Sequence, residues 1–158
     1  MQQQLTLPRG LRNNNPLNIR RNPANHWKGA RTTINDKSFE EFRNIFWGIR
    51  AAAIIIRNWL GNKRLNIRTV SQIINRWAPA SENNTQAYIN TVCQVSGLKP
   101  NDSVKFSEKW KMCALLQAMA IVENGIAYKD KLGYHLFEMG YAYAINPPTV
   151  YPYDTKDE

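Results

Sequence analysis

The stretch WGIRAAAIIIRNWL, Trp47 to Leu60, constrains the fold more than any other part of the chain. It is apolar on most sides of a helix, and a helix of that kind is stable only when other elements wrap it. Gly61-Asn62 supplies the stop. The surrounding shell is also visible. Thr69 to Trp77 begins at a capping Thr and halts before Ala78-Pro79. Asn84 to Ser96 spaces Tyr88, Ile89, Val92 and Val95 helically, with caps available in Ser81 to Asn84 and Gly97 as terminator. Ser107 to Asn124 predicts a long helix. The remainder holds one short helix before a Pro/Tyr-rich tail.

Residues 1–45 differ. RNNNPLNIRRNPANHWKGA is dense in Asn, Pro and Gly, which favour turns over long elements. ARTTINDKSFEEF places Thr, Ile and Phe around Asn35-Asp36 and predicts a short β-hairpin, with one of Glu40 and Glu41 facing solvent. The expectation is a single α+β, mainly α-helical domain over residues 1–158, with residues 1–8 and about 145–158 as peripheral tails. A chain of 158 residues can bury a core without disulfide staples.

The composition excludes several classes. No apolar run approaches the roughly 18 residues of a membrane span. The N-terminus MQQQLTLPRG lacks the apolar core of a signal peptide, so synthesis in the cytoplasm without a leader is expected. The net charge of +9 favours anionic partners. That charge is dispersed and matches no zinc-finger, RNP-like or basic-zipper pattern, so no specific nucleic acid is expected. Cys93 and Cys113 fall inside expected helices and read as buried free thiols. His26 and His135 are isolated and no His/Cys/Asp spacing suits a metal, so neither metal nor cofactor is expected.

One residue is out of place. In QAMAIVENG, Leu116, Met119, Ala120 and Glu123 stand at i, i+3, i+4 and i+7, one face of a helix. Glu123 therefore projects toward the packed side, just before Asn124-Gly125 ends the helix. A carboxyl held against apolar groups resists ionisation, and one still protonated near neutral pH can give its proton to a leaving oxygen. Glycosidic cleavage needs that step. From spacing alone, a last-turn glutamate turned to solvent is an equal alternative.

Several motifs tie these residues together. LLQAMAIVENG is similar to the end of the catalytic helix of bacterial and phage peptidoglycan glycosidases. NNPLNIRRNPANHWKGA followed by DKSFEEFRNIFWGIRA resembles the flagellar-type glucosaminidase pattern, and INRWAPASENNTQAYINTV the E-T-x-x-Y-V segment of lytic transglycosylases, through Glu82, Thr85 and Tyr88. The order departs from those families, because Glu123 comes near the end of the chain rather than before the Asn-rich turn. From Arg9 to Tyr128 the chain resembles small phage and prophage lysozyme-like proteins of circularly permuted order. Leu17 stands where that pattern usually has Gly, and Val122 where it often has His.

The resemblance implies a lysozyme-like fold and cleavage of the glycan between N-acetylmuramic acid and N-acetylglucosamine, with Glu123 as general acid. Asp36 and Glu82 are candidate second carboxylates. Asp36 is open to a plain turn role, and Glu82 to capping a helix start. Tyr88 and Thr85 line the sugar groove in the resembled families, although periodicity alone makes Tyr88 core. Trp27 and Trp77 offer faces for sugar rings or for packing. Asn13 to Asn15, Asn18 and Asn124 offer amides to N-acetyl groups or fix the loop. The implied partners are peptidoglycan glycan strands, met as a monomer at the cell wall or periplasm after delivery by a virion, lysis system or secretion apparatus, whose components are further partners. The alternative is a non-catalytic virion structural or cell-wall-binding protein that keeps the fold.

Overall fold

The computed structural model describes residues 6–149. The outer parts of the expected tails, residues 1–5 and 150–158, lie outside them. The described chain is mainly helical. After a single short helix, α1 (Arg9–Arg12), and a long loop come α2 (Ile45–Gly61), α3 (Val70–Trp77), α4 (Thr85–Ser96), α5 (Lys109–Asn124), a 3-10 turn (Ile126–Lys131) and α6 (Tyr134–Ile145).

The apolar helix α2 is central, as its pattern requires. Asn44 caps it by accepting from the amides of Phe46 and Trp47 at 2.9 and 3.2 Å. Trp47, Ile49, Ala51, Ala52, Ala53 and Ile56 are buried along it. α6 packs along α2, and α5 packs against both. A Cβ at Gly140 of α6 would collide with the Ile49 side chain, so glycine permits this close approach. Each fully buried residue such as Trp47, Phe137 or Leu116 contributes about 1.5–3 kcal/mol through its apolar surface. α3 starts at a reciprocal Thr69–Gln72 capping box. α4 is capped by Asn84 and closed by Gly97 at φ 76°.

Cys113 is buried and Cys93 half-buried, both as free thiols. Burial pushes the Cys113 thiol up to about 11. No helix among the described residues is long and apolar enough to cross a membrane.

The expected hairpin does not form. Among the described residues there is no strand, only isolated antiparallel bridges, including Arg20 with Phe39 and Ala30 with Phe42. Side chains add to the scattered backbone bonds that join these segments, such as those from the Arg21 amide to Ser38 and from the Glu40 amide to Ile19, both 2.9 Å. Arg21 donates to the carbonyls of Asp36 (3.1 and 2.9 Å) and Phe39 (3.1 Å), and meets the Glu41 carboxylate at 3.2 Å. Asn15, fully buried, donates to the carbonyls of Ile19 and Glu40 and accepts from the Ile19 amide. Glu40 and Glu41 are both buried, correcting the expectation that one faces water. Glu41 accepts from the amides of Asn35 and Asp36, and Glu40 from that of Asn22. Paired and bonded in this way, the two acids avoid the cost of lone buried charges. The loop seats directly on α2 at Gly48, where a Cβ would collide with the Asn14 carbonyl oxygen.

Candidate active site

The C-terminal end of α5 is fastened to the Asn-rich loop. Asn124 donates from one amide nitrogen to Ala120 of its own helix and to Pro16 across the junction, both at 2.8 Å. Gly125, at φ 95°, then turns the chain away. Asn18 adopts φ 52° in the loop, a conformation Asn tolerates better than most residues. Its side chain is near enough to the Glu123 carboxyl to favour the ionised form. The end of α5 that carries Glu123 thus lies beside the Asn-rich loop at Pro16 and Asn18.

Glu123 lines a groove of about 470 Å³. The loop contributes Asn18, Ile19, Arg20 and Phe39 to it. Ile55 and Trp59 come from α2, and the end of α3 with the following turn adds Arg76, Trp77, Ala78, Pro79, Glu82 and Asn83. Trp59 and Trp77 meet edge to face with ring centroids 5.8 Å apart. Burial pushes the Glu123 carboxyl up to about 7, against a smaller opposing effect of the Asn18 side chain. No Lys or Arg pairs with Glu123 among the described residues. The group is therefore divided between acid and carboxylate near neutral pH, the condition in which one side chain can both give and take a proton.

The other candidate residues divide clearly. Glu82 lines the same groove, exposed on the turn before α4. Asp36 is not among the groove residues. It accepts from Arg9 Nε and Nη2 (2.6 and 2.9 Å), Asn13 (2.9 Å) and the amides of Ser38 and Phe39 (2.9 and 3.0 Å). The Arg9 guanidinium, with these other donors, holds its carboxyl well below the usual range. Asp36 is an ionised loop clamp beside a separate depression shared with Arg9, Arg12 and Lys37.

Tyr88 and Thr85 are buried and do not line the groove. The Thr85 hydroxyl donates to the Ala78 carbonyl, which fixes the groove wall around Trp77–Pro79. The Tyr88 hydroxyl donates to the Met119 carbonyl at 3.4 Å. Burial raises its phenol well above the ordinary value and the nearby Glu123 charge adds to this, so Tyr88 packs next to the acid without reaching the groove. Asn14, at φ 51°, donates to the carbonyls of Phe42 and Arg43 and is structural. Trp27 lines a different depression, with His26 and Ile34. Asn124 is buried and spends its amide on the backbone.

Sequence reasoning did not single out Phe39, Trp59, Arg20 or Arg76 as groove residues. The available signal was at Trp59, where the all-round apolar pattern of α2 breaks into Arg57-Asn58 and a helix end meets solvent. Among the described residues, no group of three or more His, Cys, Asp or Glu is arranged to hold a metal ion.

Comparison with known proteins adds kinship. No family model matches the chain. The chain is 40% identical over 119 residues to Protein P5 of Pseudoalteromonas phage PM2, a match spanning 74% of this chain and 71% of that protein. It therefore belongs to a family of phage proteins that includes PM2 Protein P5.

Proposed function

We propose that the protein is a peptidoglycan glycosidase, with a lysozyme-like core in circularly permuted chain order, that cleaves the bond between N-acetylmuramic acid and N-acetylglucosamine. One observation carries the reading: a half-buried carboxyl at about 7 lines an open groove walled by Trp59, Trp77 and Phe39. Aromatic faces suit sugar rings, and an acid that keeps its proton near neutrality suits a poor leaving oxygen. Glu123 gives its proton to the glycosidic oxygen as the C1–O bond breaks. The resulting carboxylate then takes the proton of an attacking hydroxyl whose oxygen bonds to C1. If the muramoyl 6-hydroxyl attacks, the product is a 1,6-anhydro sugar, and Glu123 suffices alone. If water attacks, the product has a reducing end, and Glu82, which lines the same groove, is the candidate second carboxylate. Asp36, committed to Arg9 and Asn13, is left out of either route. Membership of a phage family supports delivery to the wall by a virion or lysis system.

The same kinship, together with the structural commitment of Asp36, favours a second reading: a non-catalytic virion protein that binds the wall. Digestion of purified cell wall separates the two, and product masses separate anhydro from reducing ends. Glu123→Gln keeps the side-chain shape but has no acid proton, so wall digestion should fall by about 10²–10⁴-fold. A folded Glu123→Gln protein that digests wall at the wild-type rate would refute the assignment.

A further inference from the structure

We infer that the groove selects anionic glycan, with Arg20 and Arg76 binding carboxylates carried by the muramoyl residues; this rests on the groove being a glycan site. The two arginines come from its two sides, Arg20 from the loop and Arg76 from α3, and both line the groove with Glu123. Each is stacked on an aromatic ring of the same groove. The Arg20 guanidinium lies 5.2 Å from the centre of the Phe39 ring, and that of Arg76 lies 5.2 Å from the Trp59 ring. Stacking holds a guanidinium by its face and leaves its edge N–H donors available for a planar acceptor.

Other arginines of the loop region spend their charge internally. Arg9 pairs with Asp36, Arg21 with Glu40 and Glu41, and Arg31 with Glu41. Arg20 and Arg76 meet no carboxylate among the described residues, and both are exposed. With Glu123 protonated, the groove carries these two cations against Glu82 alone. Neither arginine forms an ion pair with Glu123.

This arrangement fits a ligand whose negative charge sits away from the bond being cleaved. In a glycan of alternating N-acetylglucosamine and N-acetylmuramic acid, the charge is carried by the lactyl ether carboxylate or by the peptide attached to it, and not by the ring. Arginine binds such carboxylates in a bidentate, charge-assisted manner. A neutral N-acetylglucosamine polymer offers the same rings and N-acetyl groups without that charge.

The test measures binding to the Glu123→Gln protein at low salt, so that no turnover is needed. Three glycans of equal length are compared: muramoyl strands with stem peptides, the same strands after amidase treatment, and N-acetylglucosamine oligomers. The muramoyl strands should bind about 10-fold more tightly than the neutral oligomer, the scale of a hydrogen bond to a charged group. Arg20→Gln and Arg76→Gln should each erode that preference, and the double variant should abolish it. The lactyl carboxylate is freed only by amidase, so a preference gained or strengthened by the treatment assigns the contact to it; one lost with the peptide assigns it to peptide carboxylates, and one unchanged means that either carboxylate serves. Equal affinity for charged and neutral glycans, or a preference unaltered in the folded double variant, overturns the inference. Wall digestion with no arginine dependence removes this inference alone. Arginine-dependent binding without wall digestion by the wild-type protein removes the enzymatic reading alone.

Discussion

In residues 9–44 the chain is held by scattered backbone bonds together with side-chain donors that reach backbone carbonyls and buried acids, whereas residues 45–145 are held by apolar helix faces pressed together. Arg21 and Asn15 organise the first region. Trp47, Ile49, Leu116 and Phe137 organise the second. The same functional group behaves oppositely in the two settings. Asp36, on the polar side, receives N–H bonds from Arg9, Asn13, Ser38 and Phe39 and is held ionised. Glu123, at the end of the apolar helix α5, has the Asn18 amide against a larger burial effect and is pushed up to about 7. An acid that holds its proton near neutrality arises here where an apolar element meets a polar one and no cation follows it. Two carboxylates that both match motif positions are thus separated by the supply of donors around them.

Removing the polar scaffold should have the largest effect on stability. Arg21→Ala strips donors from the carbonyls of Asp36 and Phe39 and leaves Glu41, 3% exposed, with the more distant Arg31 as its remaining cation. The expected loss is about 3–5 kcal/mol in urea denaturation, the usual cost of breaking a buried ion pair from one side. A loss below about 1 kcal/mol, the scale of an exposed pair, would mean that the loop is held by its few apolar contacts instead.

Glu123→Gln sharpens the comparison from the apolar side. The folded carboxyl at about 7 lies above its ordinary 4.5, so the native state binds the proton more tightly than the unfolded chain does. Below pH 4.5 both states are protonated and the variant should match wild type. Between 4.5 and 7 the wild-type protein loses stability as pH rises, because the unfolded chain ionises first. Above 7 the disadvantage saturates at no more than about 3 kcal/mol. The difference in unfolding free energy between Glu123→Gln and wild type, followed from pH 4 to 8, should grow over that window and then level off. A difference independent of pH contradicts the burial argument.

The smallest expected change is in activity on the polar side. Asp36→Asn removes a charge that lines a separate depression from Glu123, so a folded Asp36→Asn protein should digest cell wall within a few-fold of wild type. A loss on the scale of general acid catalysis, about 10²-fold or more, would restore Asp36 as a partner acid.

The two regions also differ in how much of them can be read in advance. The repeats of α2 to α5 locate those helices to within about two residues of their observed ends, because caps such as Thr69, Asn84 and Gly97 act locally. Glu123 was legible by half: spacing to Leu116 and Met119 puts it on the packed face, but its place in the last turn left solvent as an equal alternative. The loop region resisted reading, since its partners are remote in sequence. Arg21 reaches Asp36 and Glu41, and Asn124 reaches Pro16. Alternation around Asn35-Asp36 suggests a hairpin, but no periodicity announces a buried Glu40 or an Arg21 side chain that bonds the carbonyls of Asp36 and Phe39. Tyr88 shows the converse: helical spacing places it in the core, where it lies, and only the resemblance put it in the groove.

Titration of the Glu123 carboxyl carbon by NMR, with its resonance assigned by comparison with Glu123→Gln, tests the central claim most directly. The account predicts a midpoint near 7, above that of Asp36, which is held below its ordinary value. A midpoint in the ordinary glutamate range, about 4.3, would contradict it.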